Sequence, residues 1–389
     1  MNAPTEDFVL NAAQRAEVIA GLNQILPAHA VLHEVEDTKP YECDGLSLFR
    51  QLPMVVALPE TEDQVVQILK LANRLNVPVV ARGAGTGLSG GAQPHKHGIL
   101  LGMAKFNKIL KVDVQSRSAV VQPGVRNLAI SEAVAQHQLY YAPDPSSQIA
   151  CTIGGNVAEN SGGVHCLKYG LTVHNVLKVR AITIEGEIVE FGSEAPDAPG
   201  LELMNLVIGS EGMLAVVTEV TVKLVPKPAL AQVIMASFDD VANAGNAVAA
   251  VIAAGIIPAG LEMMDKRASQ MVEPFVKAGY DTEAEAILLL ESDGTPEEVA
   301  EEIAEMTRVL NGCGATAIKV SQSEAERLKF WAGRKNAFPA AGRVSPDYYC
   351  MDGTIPRRSL ARVLNAITEM EKKYDMRCAN VFHAGDGNL

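Results

Sequence analysis

The stretch that decides the fold is Arg82-Gly-Ala-Gly-Thr-Gly-Leu-Ser-Gly-Gly91, a glycine-rich loop. It follows a short apolar stretch, Val77-Pro-Val-Val-Ala81, which predicts a strand. Before that strand, Thr61-Glu-Asp-Gln64 is a capping box, and apolar residues at helical spacing then predict an amphipathic helix. Successive glycines let backbone N–H groups converge on an anion, so the loop either cradles a diphosphate or is a plain connection.

Part of this loop, Gly85-Thr-Gly-Leu-Ser-Gly90, also matches the GxGxxG pattern of Rossmann dinucleotide sites. A Rossmann loop opens a helix whose N-terminus faces the pyrophosphate. Here the chain runs on through Ala92-Gln-Pro-His-Lys-His-Gly98 into another apolar stretch, which predicts a strand. The loop is therefore expected to join two strands, and a nicotinamide dehydrogenase is disfavoured.

The composition indicates a soluble globular protein of two or three domains. The 389 residues carry 46 acidic against 33 basic side chains, a formal net charge of −13, which disfavours nucleic acid as a partner. The longest apolar run, from Ala247 to Gly260, is too short for a membrane span and predicts a core helix followed by a strand. The six cysteines form no CxxC pair, so we expect reduced, mostly buried thiols and no iron–sulfur ligand run.

The order of predicted elements suggests two folded regions. A long alternating strand from Ala215 to Val225 closes the first, and Pro226-Lys-Pro228 marks a domain boundary. Beyond it, strand, helix, strand occurs twice and predicts a ferredoxin-like sheet. One of its helices has a clean start, with Thr295 as the N-cap, Pro296 at the first position and Glu298 completing a capping box.

A second loop-rich zone runs from Pro143 to Gly163. It contains Pro143-Asp-Pro-Ser-Ser147 and Thr152-Ile-Gly-Gly-Asn-Val-Ala-Glu-Asn-Ser-Gly-Gly163. Small hydroxyl, amide and backbone donors dominate it, a composition suited to backbone packed against a flat polar ring system, and loops of this kind often carry function. His165 and His174 flank the zone, and no role beyond a structural one is predicted for them.

With Gly209-Ser-Glu-Gly212, the two zones resemble the FAD-binding domain of the vanillyl-alcohol-oxidase or PCMH-type flavoproteins. Further motifs resemble, more narrowly, the FAD-linked subunits of bacterial glycolate oxidases: Pro40-Tyr-Glu-Cys-Asp-Gly-Leu46, Trp331-Ala-Gly-Arg-Lys-Asn-Ala-Phe-Pro339, Ser345-Pro-Asp-Tyr-Tyr-Cys-Met-Asp-Gly-Thr354 and His383-Ala-Gly-Asp-Gly-Asn-Leu389. The resemblance implies an α+β fold. An N-terminal helical segment (1–50) precedes a PCMH-type FAD-binding domain of two α/β subdomains (51–228), and a ferredoxin-like cap or substrate domain (229–389) follows.

The resemblance also implies which residues bind FAD. The first loop would wrap the diphosphate, the second zone would line the isoalloxazine ring, and the segment at Gly212 and Val216 would lie on the adenine side. Thr86 stands where covalently flavinylated members have a histidine, which implies non-covalent FAD. The implied cofactor-binding residues are Gly83, Gly85, Thr86, Gly87, Leu88, Ser89, Pro143, Asp144, Ser146, Ser147, Thr152, Gly155, Asn156, Asn160, Ser161, Gly163, Gly212 and Val216.

Two residues are implied in catalysis. Arg334 matches the family arginine that holds the substrate carboxylate, although by itself it could lie on a solvated helix face. His383 matches the first histidine of a family metal pair, although His before Gly385-Asp-Gly387 could equally be an incidental turn residue. The partner histidine would lie at position 390, beyond Leu389. We therefore expect a divalent metal, Zn, Mn or Fe, at a site that is incomplete, in a C-terminal domain that is truncated.

The implied reaction is FAD-dependent oxidation of a small 2-hydroxy acid, glycolate to glyoxylate, by hydride transfer to flavin N5. Electrons would pass to an iron–sulfur partner subunit, beside a second FAD-binding-like subunit. The expected location is cytoplasmic, at the inner face of the membrane through those partners. The alternatives are a D-lactate or other D-2-hydroxy-acid dehydrogenase, and a non-catalytic FAD-binding subunit, since the metal site is cut short.

Overall fold

A computed structural model describes residues 9–195 and 200–389, and its chain divides into two compact units. Unit 1 comprises Met1–Gly162 and Leu171–Pro226, and unit 2 comprises Gly163–Gly170 and Lys227–Leu389. Among the described residues, no helix is both long enough and apolar enough to cross a membrane.

Unit 1 contains three β-sheets and several helices. Its strands are β1 (Val31–Leu32), β2 (Val55–Ala57), β3 (Val79–Arg82), β4 (Ile99–Gly102), β5 (Ile109–Asp113), β6 (Ser118–Val121), β7 (Leu139–Tyr140), β8 (Val176–Ile182), β9 (Ile188–Gly192), β10 (Val216–Lys223) and β11 (Val225–Pro226). Its helices are α1 (Ala12–Ile25), α2 (Val35–Thr38), α3 (Glu62–Arg74), α4 (Asn127–Val134), α5 (Ile153–Glu159), α7 (Thr172–Asn175) and α8 (Met204–Val207).

Unit 2 is built on one five-stranded sheet. Its strands are β12 (Leu230–Phe238), β13 (Gly260–Asp265), β14 (Ala286–Gly294), β15 (Ala317–Val320) and β16 (Val381–His383). Its helices are α6 (Cys166–Tyr169), α9 (Val241–Ala253), α10 (Lys266–Val276), α11 (Pro296–Gly312), α12 (Glu324–Lys335), α13 (Ala337–Val344) and α14 (Leu360–Tyr374). Short 3₁₀ turns lie at Ala28–Ala30, Lys39–Tyr41, Ala135–His137 and Arg357–Ser359.

The glycine loop of unit 1 lies between two parallel strands. In the four-stranded sheet, ordered β1-β2-β4-β3, β4 pairs in parallel with both β2 and β3. The loop leaves β3 at Arg82 and reaches β4 at Ile99, and no helix intervenes in this fully described stretch. The expectation that it joins two strands is confirmed, and a Rossmann turn is excluded.

The helix before the loop forms as its sequence predicts. Thr61 accepts from the backbone N–H of Gln64, and the Gln64 side chain accepts from the N–H of Thr61. The apolar stripe of α3, including Val65, Ile68 and Leu69, is buried in the core beneath the parallel sheet. The same capping geometry begins α11 at Thr295, so both predicted capping boxes are confirmed.

The second sheet of unit 1 is antiparallel, in the order β5-β6-β10-β8-β9. The alternating run from Ala215 to Val225 forms β10, the central strand, with Val220 and Val222 buried. Side chains of this sheet pack with α4, α5 and α8 in a core of their own. The unit thus has two cores. Residues of β3 and β4, the strands that flank the glycine loop, contribute to one core, and residues of α5 contribute to the other.

The unit 2 sheet is antiparallel, in the order β15-β12-β14-β13-β16. Numbering β12 to β15 from one to four gives the order 4-1-3-2, which confirms the predicted ferredoxin-like sheet, and β16 adds an edge strand. Alternate residues face opposite layers. Leu288 and Leu290 pack with α9 and α11, whereas Ile287 and Leu289 pack with α10 and α12.

One short segment joins unit 2 from the middle of the predicted FAD-binding region. Within residues 163–170, the side chain of Lys168 donates to Asp293 and the Tyr169 hydroxyl donates to the same carboxylate at 2.6 Å. His165 Nε2 lies 3.1 Å from Glu291 Oε1. Because Glu291 and Asp293 belong to β14, these contacts hold the segment on the sheet, an arrangement that sequence pattern does not reveal.

Glu291 is the most strongly paired carboxylate of this attachment. It is buried, accepts from Trp331 Nε1, and pairs with both His165 and Arg327, whose Nη1 lies 2.8 Å from Oε2. Burial by itself raises the pKa of Glu291, but the hydrogen bond from His165 and the charges of His165 and Arg327 outweigh it and hold that pKa at about 2. The carboxylate therefore stays ionised in the folded state.

We predict that Glu291 stabilises unit 2 by about 3 kcal/mol, since its pKa lies roughly two units below the free value of about 4.3. A depressed pKa contributes stability that is full above about pH 4.3 and is lost as pH falls toward 2. Urea unfolding followed by fluorescence of Trp331, the single tryptophan, measures it. Glu291→Gln should unfold at lower urea at pH 7, and the gap to wild type should narrow on acidification.

The matched control is Glu324→Gln. Glu324 contacts the same Arg327 from the exposed side, so its removal should cost less than about 1 kcal/mol. Equal losses in the two variants at pH 7 would contradict the assignment of this stability to the buried carboxylate.

Candidate functional site

A cavity in unit 1 is lined by segments that are distant in sequence. The glycine loop, the start of α5 and the start of β10 all contribute to its wall. Among the predicted cofactor residues, those that line it are Gly83, Gly85, Thr86, Gly87, Ser147, Thr152, Gly155, Asn156, Ser161, Gly212 and Val216. The fold thus brings most of the predicted set together.

The other predicted cofactor residues do not line this cavity. Leu88, Ser89, Pro143, Asp144, Ser146 and Asn160 belong to the same loops but lie outside the wall, and Gly163 lies in unit 2. Asn160 has a different local task, because it ends α5 in a left-handed conformation (φ 52°) and its side chain accepts from the N–H of Val173. Their assignment rests on the family resemblance alone.

The wall requires glycine where the loop meets α5. A Cβ at Gly83 would lie 2.3 Å from Thr152 Oγ1, the atom that accepts from Gly155 N–H at the start of α5. Asn156, one turn later, donates through Nδ2 to Asn127 Oδ1 at 2.8 Å, and Asn127 donates to the Pro143 carbonyl at 2.9 Å. This buried chain of amides ties the second loop zone to α5.

Arg82 supports the glycine loop from the protein side. It is 8% exposed, its Nη1 donates to the Ala92 carbonyl, and its guanidinium lies over the Tyr41 ring. Gly85 has φ +68°, and a Cβ there would lie 2.2 Å from Arg82 Nη2. Sequence reasoning did not assign Arg82 to the cavity, although a lone arginine at the head of a glycine run was the available signal.

Two carboxylates also line the cavity, and sequence reasoning missed both. Glu159 accepts from Ser89 Oγ at 2.7 Å, and a Cβ at Gly91 would lie within 3.0 Å of both Glu159 and Glu211. Burial raises the pKa of Glu159, and the charges of Glu211 and Asp44 raise it further, against the opposing hydrogen bond from Ser89. The cavity therefore combines loop amides with a carboxylate that is costly to ionise.

In unit 2, a buried carboxylate joins the two predicted catalytic residues. Glu262 on β13 is 0% exposed and is the cross-strand partner of His383 on β16. Its Oε1 lies 2.6 Å from His383 Nδ1, and its Oε2 pairs with Arg334 Nε. Burial raises the pKa of Glu262, but the charge of Arg334 and the hydrogen bond to His383 prevail and lower it. No sequence motif had singled out Glu262.

Arg334 does not lie on a solvated helix face, the alternative that its neighbours suggested. Its side chain is 15% exposed because α12 turns it toward Glu262. Arg327, two turns earlier on the same side of α12, is similarly covered, because it pairs with Glu291. The ion pair fixes the orientation of the guanidinium plane through Nε. The structure thus places Arg334 and His383 around one carboxylate.

The opposite ring nitrogen of His383 faces a small polar cluster. His383 is 4% exposed, and its Nε2 has no hydrogen-bond partner among the described residues. Cys166 Sγ, Asp386 and this nitrogen lie within 4.8 Å of one another. A buried imidazole nitrogen without a partner, next to a thiol and a carboxylate, is a donor set that suits a divalent metal. Of the six cysteines, all of which lie in the described ranges, Cys151 alone is buried and the other five, Cys166 included, are half-buried, so the expectation of mostly buried thiols is wrong.

We predict that Gly85→Ala abolishes or severely weakens FAD binding. The added methyl group would meet the Arg82 guanidinium in a backbone conformation that disfavours alanine, so either the guanidinium or the loop that it supports must shift. Titration of apoprotein with FAD, followed by flavin fluorescence, measures the loss. Gly90→Ala is the control, because it has a similar φ of +84° but nothing within 4 Å of the new methyl group. Comparable FAD affinity in Gly85→Ala and wild type would contradict the prediction.

Comparison with known proteins finds two family models that match this chain. Residues 53–192 match the model described as "FAD binding domain", and residues 227–389 match "FAD linked oxidases, C-terminal domain". Glycolate oxidase subunit GlcD of Escherichia coli (strain K12) is 59% identical over 98% of this chain and 77% of its own length. A D-lactate dehydrogenase of Anaerostipes hadrus is 31% identical over 96% and 80%.

The fold itself recurs in solved structures. The 4-ethylphenol oxidase from Gulosibacter chungangensis aligns over 99% of this chain and 86% of its own, with a TM-score of 0.78 at 16% identity. The two family models span both units, and membership makes FAD the cofactor of this fold. This chain therefore belongs to the family of FAD-linked oxidases, together with glycolate oxidase subunit GlcD.

Proposed function

We propose that this chain oxidises glycolate to glyoxylate with non-covalently bound FAD, as the FAD-linked subunit of a glycolate oxidase. The observation that carries the proposal is the identity of 59% to a glycolate oxidase subunit over 98% of the chain. The match to an A. hadrus D-lactate dehydrogenase is more distant, at 31% identity. In this assignment residues 51–228 form the cofactor domain and residues 229–389 the substrate domain.

The cofactor would be held mainly by backbone. Loop amides of Gly83, Gly85 and Gly87 are free of side-chain bulk and line the cavity, so they can approach a diphosphate closely. Thr86 offers no nucleophilic ring nitrogen for a covalent flavin link. When bound, FAD supplies the hydride acceptor, flavin N5.

Arg334 and His383 are the residues we propose for the substrate. The guanidinium, oriented by Glu262, would hold the carboxylate of the 2-hydroxy acid and so orient its Cα–H. His383 would present Nε2 to a divalent metal, because Glu262 holds Nδ1, as carboxylates commonly do for metal-bound histidines. Such a metal, when bound, lowers the pKa of a coordinated hydroxyl group.

Electron transfer requires partners in this proposal. The relative at 59% identity is named as a subunit, which supports an assembly of several chains. The six cysteines of this chain form no CxxC pair, so the electrons would pass to an iron–sulfur subunit, beside a second FAD-binding-like subunit. We expect this assembly to lie in the cytoplasm, at the inner face of the membrane through its partners.

We expect glycolate to bleach the flavin absorbance of the purified FAD-loaded protein under anaerobic conditions. Arg334→Lys should raise the apparent KM for glycolate about tenfold or more, because the ammonium group cannot bind a carboxylate bidentately. Lys335→Arg, one residue on, is the control. Bleaching by D-lactate or D-2-hydroxyglutarate but not by glycolate would overturn the substrate, and FAD binding without reduction by any of these acids would favour a non-catalytic subunit.

A second prediction concerns Glu159. Its ionised carboxylate in the cavity should repel the FAD diphosphate, and its pKa is raised, so FAD should bind more tightly at low pH and more weakly as pH rises through that titration. Glu159→Gln should tighten FAD binding several-fold at pH 8 and flatten the pH dependence of Kd. The exposed Glu187→Gln serves as the control. Weaker binding in Glu159→Gln would instead make this carboxylate an acceptor for FAD.

A further inference from the structure

We propose that the thiolate of Cys166 is a metal donor, so that Cys166, His383 and Asp386 form a sulfur, nitrogen and oxygen site for a zinc-like divalent cation in unit 2. The inference deepens the proposed function, because it names a donor of the proposed metal that neither motif spacing nor the family resemblance assigned. Thiolate sulfur, imidazole nitrogen and carboxylate oxygen are all ordinary donors to zinc.

The spacing of the donor atoms suits one ion. Cys166 Sγ lies 3.5 Å from Asp386 Oδ2, and His383 Nε2 lies 4.0 Å from the same oxygen. Tetrahedral angles and ordinary zinc bond lengths place sulfur and oxygen about 3.6 Å apart, and nitrogen and oxygen about 3.4 Å apart. The first distance already matches. The nitrogen–oxygen distance would shorten to the expected value with a small rotation of the Asp386 side chain, which is partly exposed.

The histidine is oriented by its other side. Glu262 occupies Nδ1, which leaves Nε2 as the nitrogen that points into the cluster. That nitrogen is buried, and the thiol proton of Cys166 is directed to Asp386, so Nε2 has no hydrogen-bond partner among the described residues. A buried, unsatisfied polar atom destabilises the folded state, and a bound cation would remove that penalty.

The cysteine is held in place from both sides along the chain. His165, the residue before it, contacts Glu291, and Lys168 and Tyr169, shortly after it, contact Asp293. Because both acids belong to β14, Cys166 is fixed to the same sheet that carries Glu262. A preorganised donor binds metal without a large ordering cost.

Asp386 is placed by a tight turn after β16. Its Oδ1 accepts from the N–H of Asn388 at 2.9 Å, which turns Oδ2 toward Cys166. A Cβ at Gly385 would lie 2.7 Å from Leu167 and 3.3 Å from His383 Nε2, so the turn packs closely around the donors. Gly385 therefore serves the cluster as well as the turn.

The donor set also bears on which metal binds. A thiolate with an imidazole and a carboxylate favours zinc or a similar borderline ion over manganese or magnesium, which prefer oxygen ligands. The thiol must lose its proton on coordination, so metal binding releases a proton to solvent. If the three side chains formed only a hydrogen-bonded cluster, neither a preference for zinc nor a release of protons on addition of metal would be expected.

Cobalt(II) added to the purified full chain tests the proposal, because cobalt bound to a thiolate gives a near-ultraviolet charge-transfer band. Difference spectra against the cobalt-free FAD protein should show this band in wild type. Cys166→Ser should lose it and weaken zinc binding at least tenfold, whereas Cys378→Ser, a cysteine outside the cluster, should keep both. Cobalt binding without the band in wild type, or a band that persists in Cys166→Ser, would overturn the proposal.

A second measurement avoids dependence on a variant. Zinc should protect Cys166, but not Cys378, from iodoacetamide, as read by peptide mass spectrometry of the wild-type chain. Equal alkylation of Cys166 with and without saturating zinc would contradict the thiolate donor. Both readouts are independent of turnover. If the band and the protection appear but glycolate does not bleach the flavin, the metal site stands and the proposed substrate fails.

Discussion

The ion pairs of Glu291 are the interaction on which the arrangement of unit 2 depends most. One buried carboxylate on β14 binds His165, Arg327 and Trp331. It thereby attaches residues 163–170 to a sheet whose first strand begins at Leu230. A buried carboxylate of this kind is stable only while all its partners are present. Because the partners come from two separate parts of the chain, the 163–170 segment and α12, the interaction specifies position as much as stability.

That attachment explains why the polar cluster of unit 2 exists at all. Without this attachment, Cys166 would be only part of the loop that follows α5, and Nε2 of His383 would have Asp386 but no thiol beside it. Glu262 completes the arrangement, since its carboxylate pairs with both His383 and Arg334. Two buried glutamates on neighbouring strands, Glu262 and Glu291, thus organise every side chain that we propose for catalysis in this unit.

The cavity of unit 1 follows a different electrostatic design. The chain carries a net charge of −13, and the cavity wall offers glycine amides and the braced Arg82 together with the carboxylates Glu159 and Glu211. Backbone N–H groups bind a diphosphate without a mobile cationic side chain, so affinity depends on the exact path of the loop. A Cβ at Gly83 or Gly85 would collide with neighbouring side chains and so disturb that path. A Cβ at Gly90 would meet no atom within 4 Å, so there is no steric reason for glycine at that position.

The sequence by itself determined the local and periodic features: the capped helices α3 and α11, the strand-to-strand glycine loop, the ferredoxin-like order and, through its motifs, the flavoprotein family. The helices, the loop and the order of strands depend on contacts between residues close in the chain, and the spacing of residue types in the sequence reflects such contacts. Only the tertiary structure decided that Cys166 joins unit 2, that Glu262 links Arg334 to His383, and that Glu159 lies in the cavity wall. Those relations join residues from 70 to 220 positions apart, and burial and charge pairing between such distant residues leave no periodic signal in a single sequence.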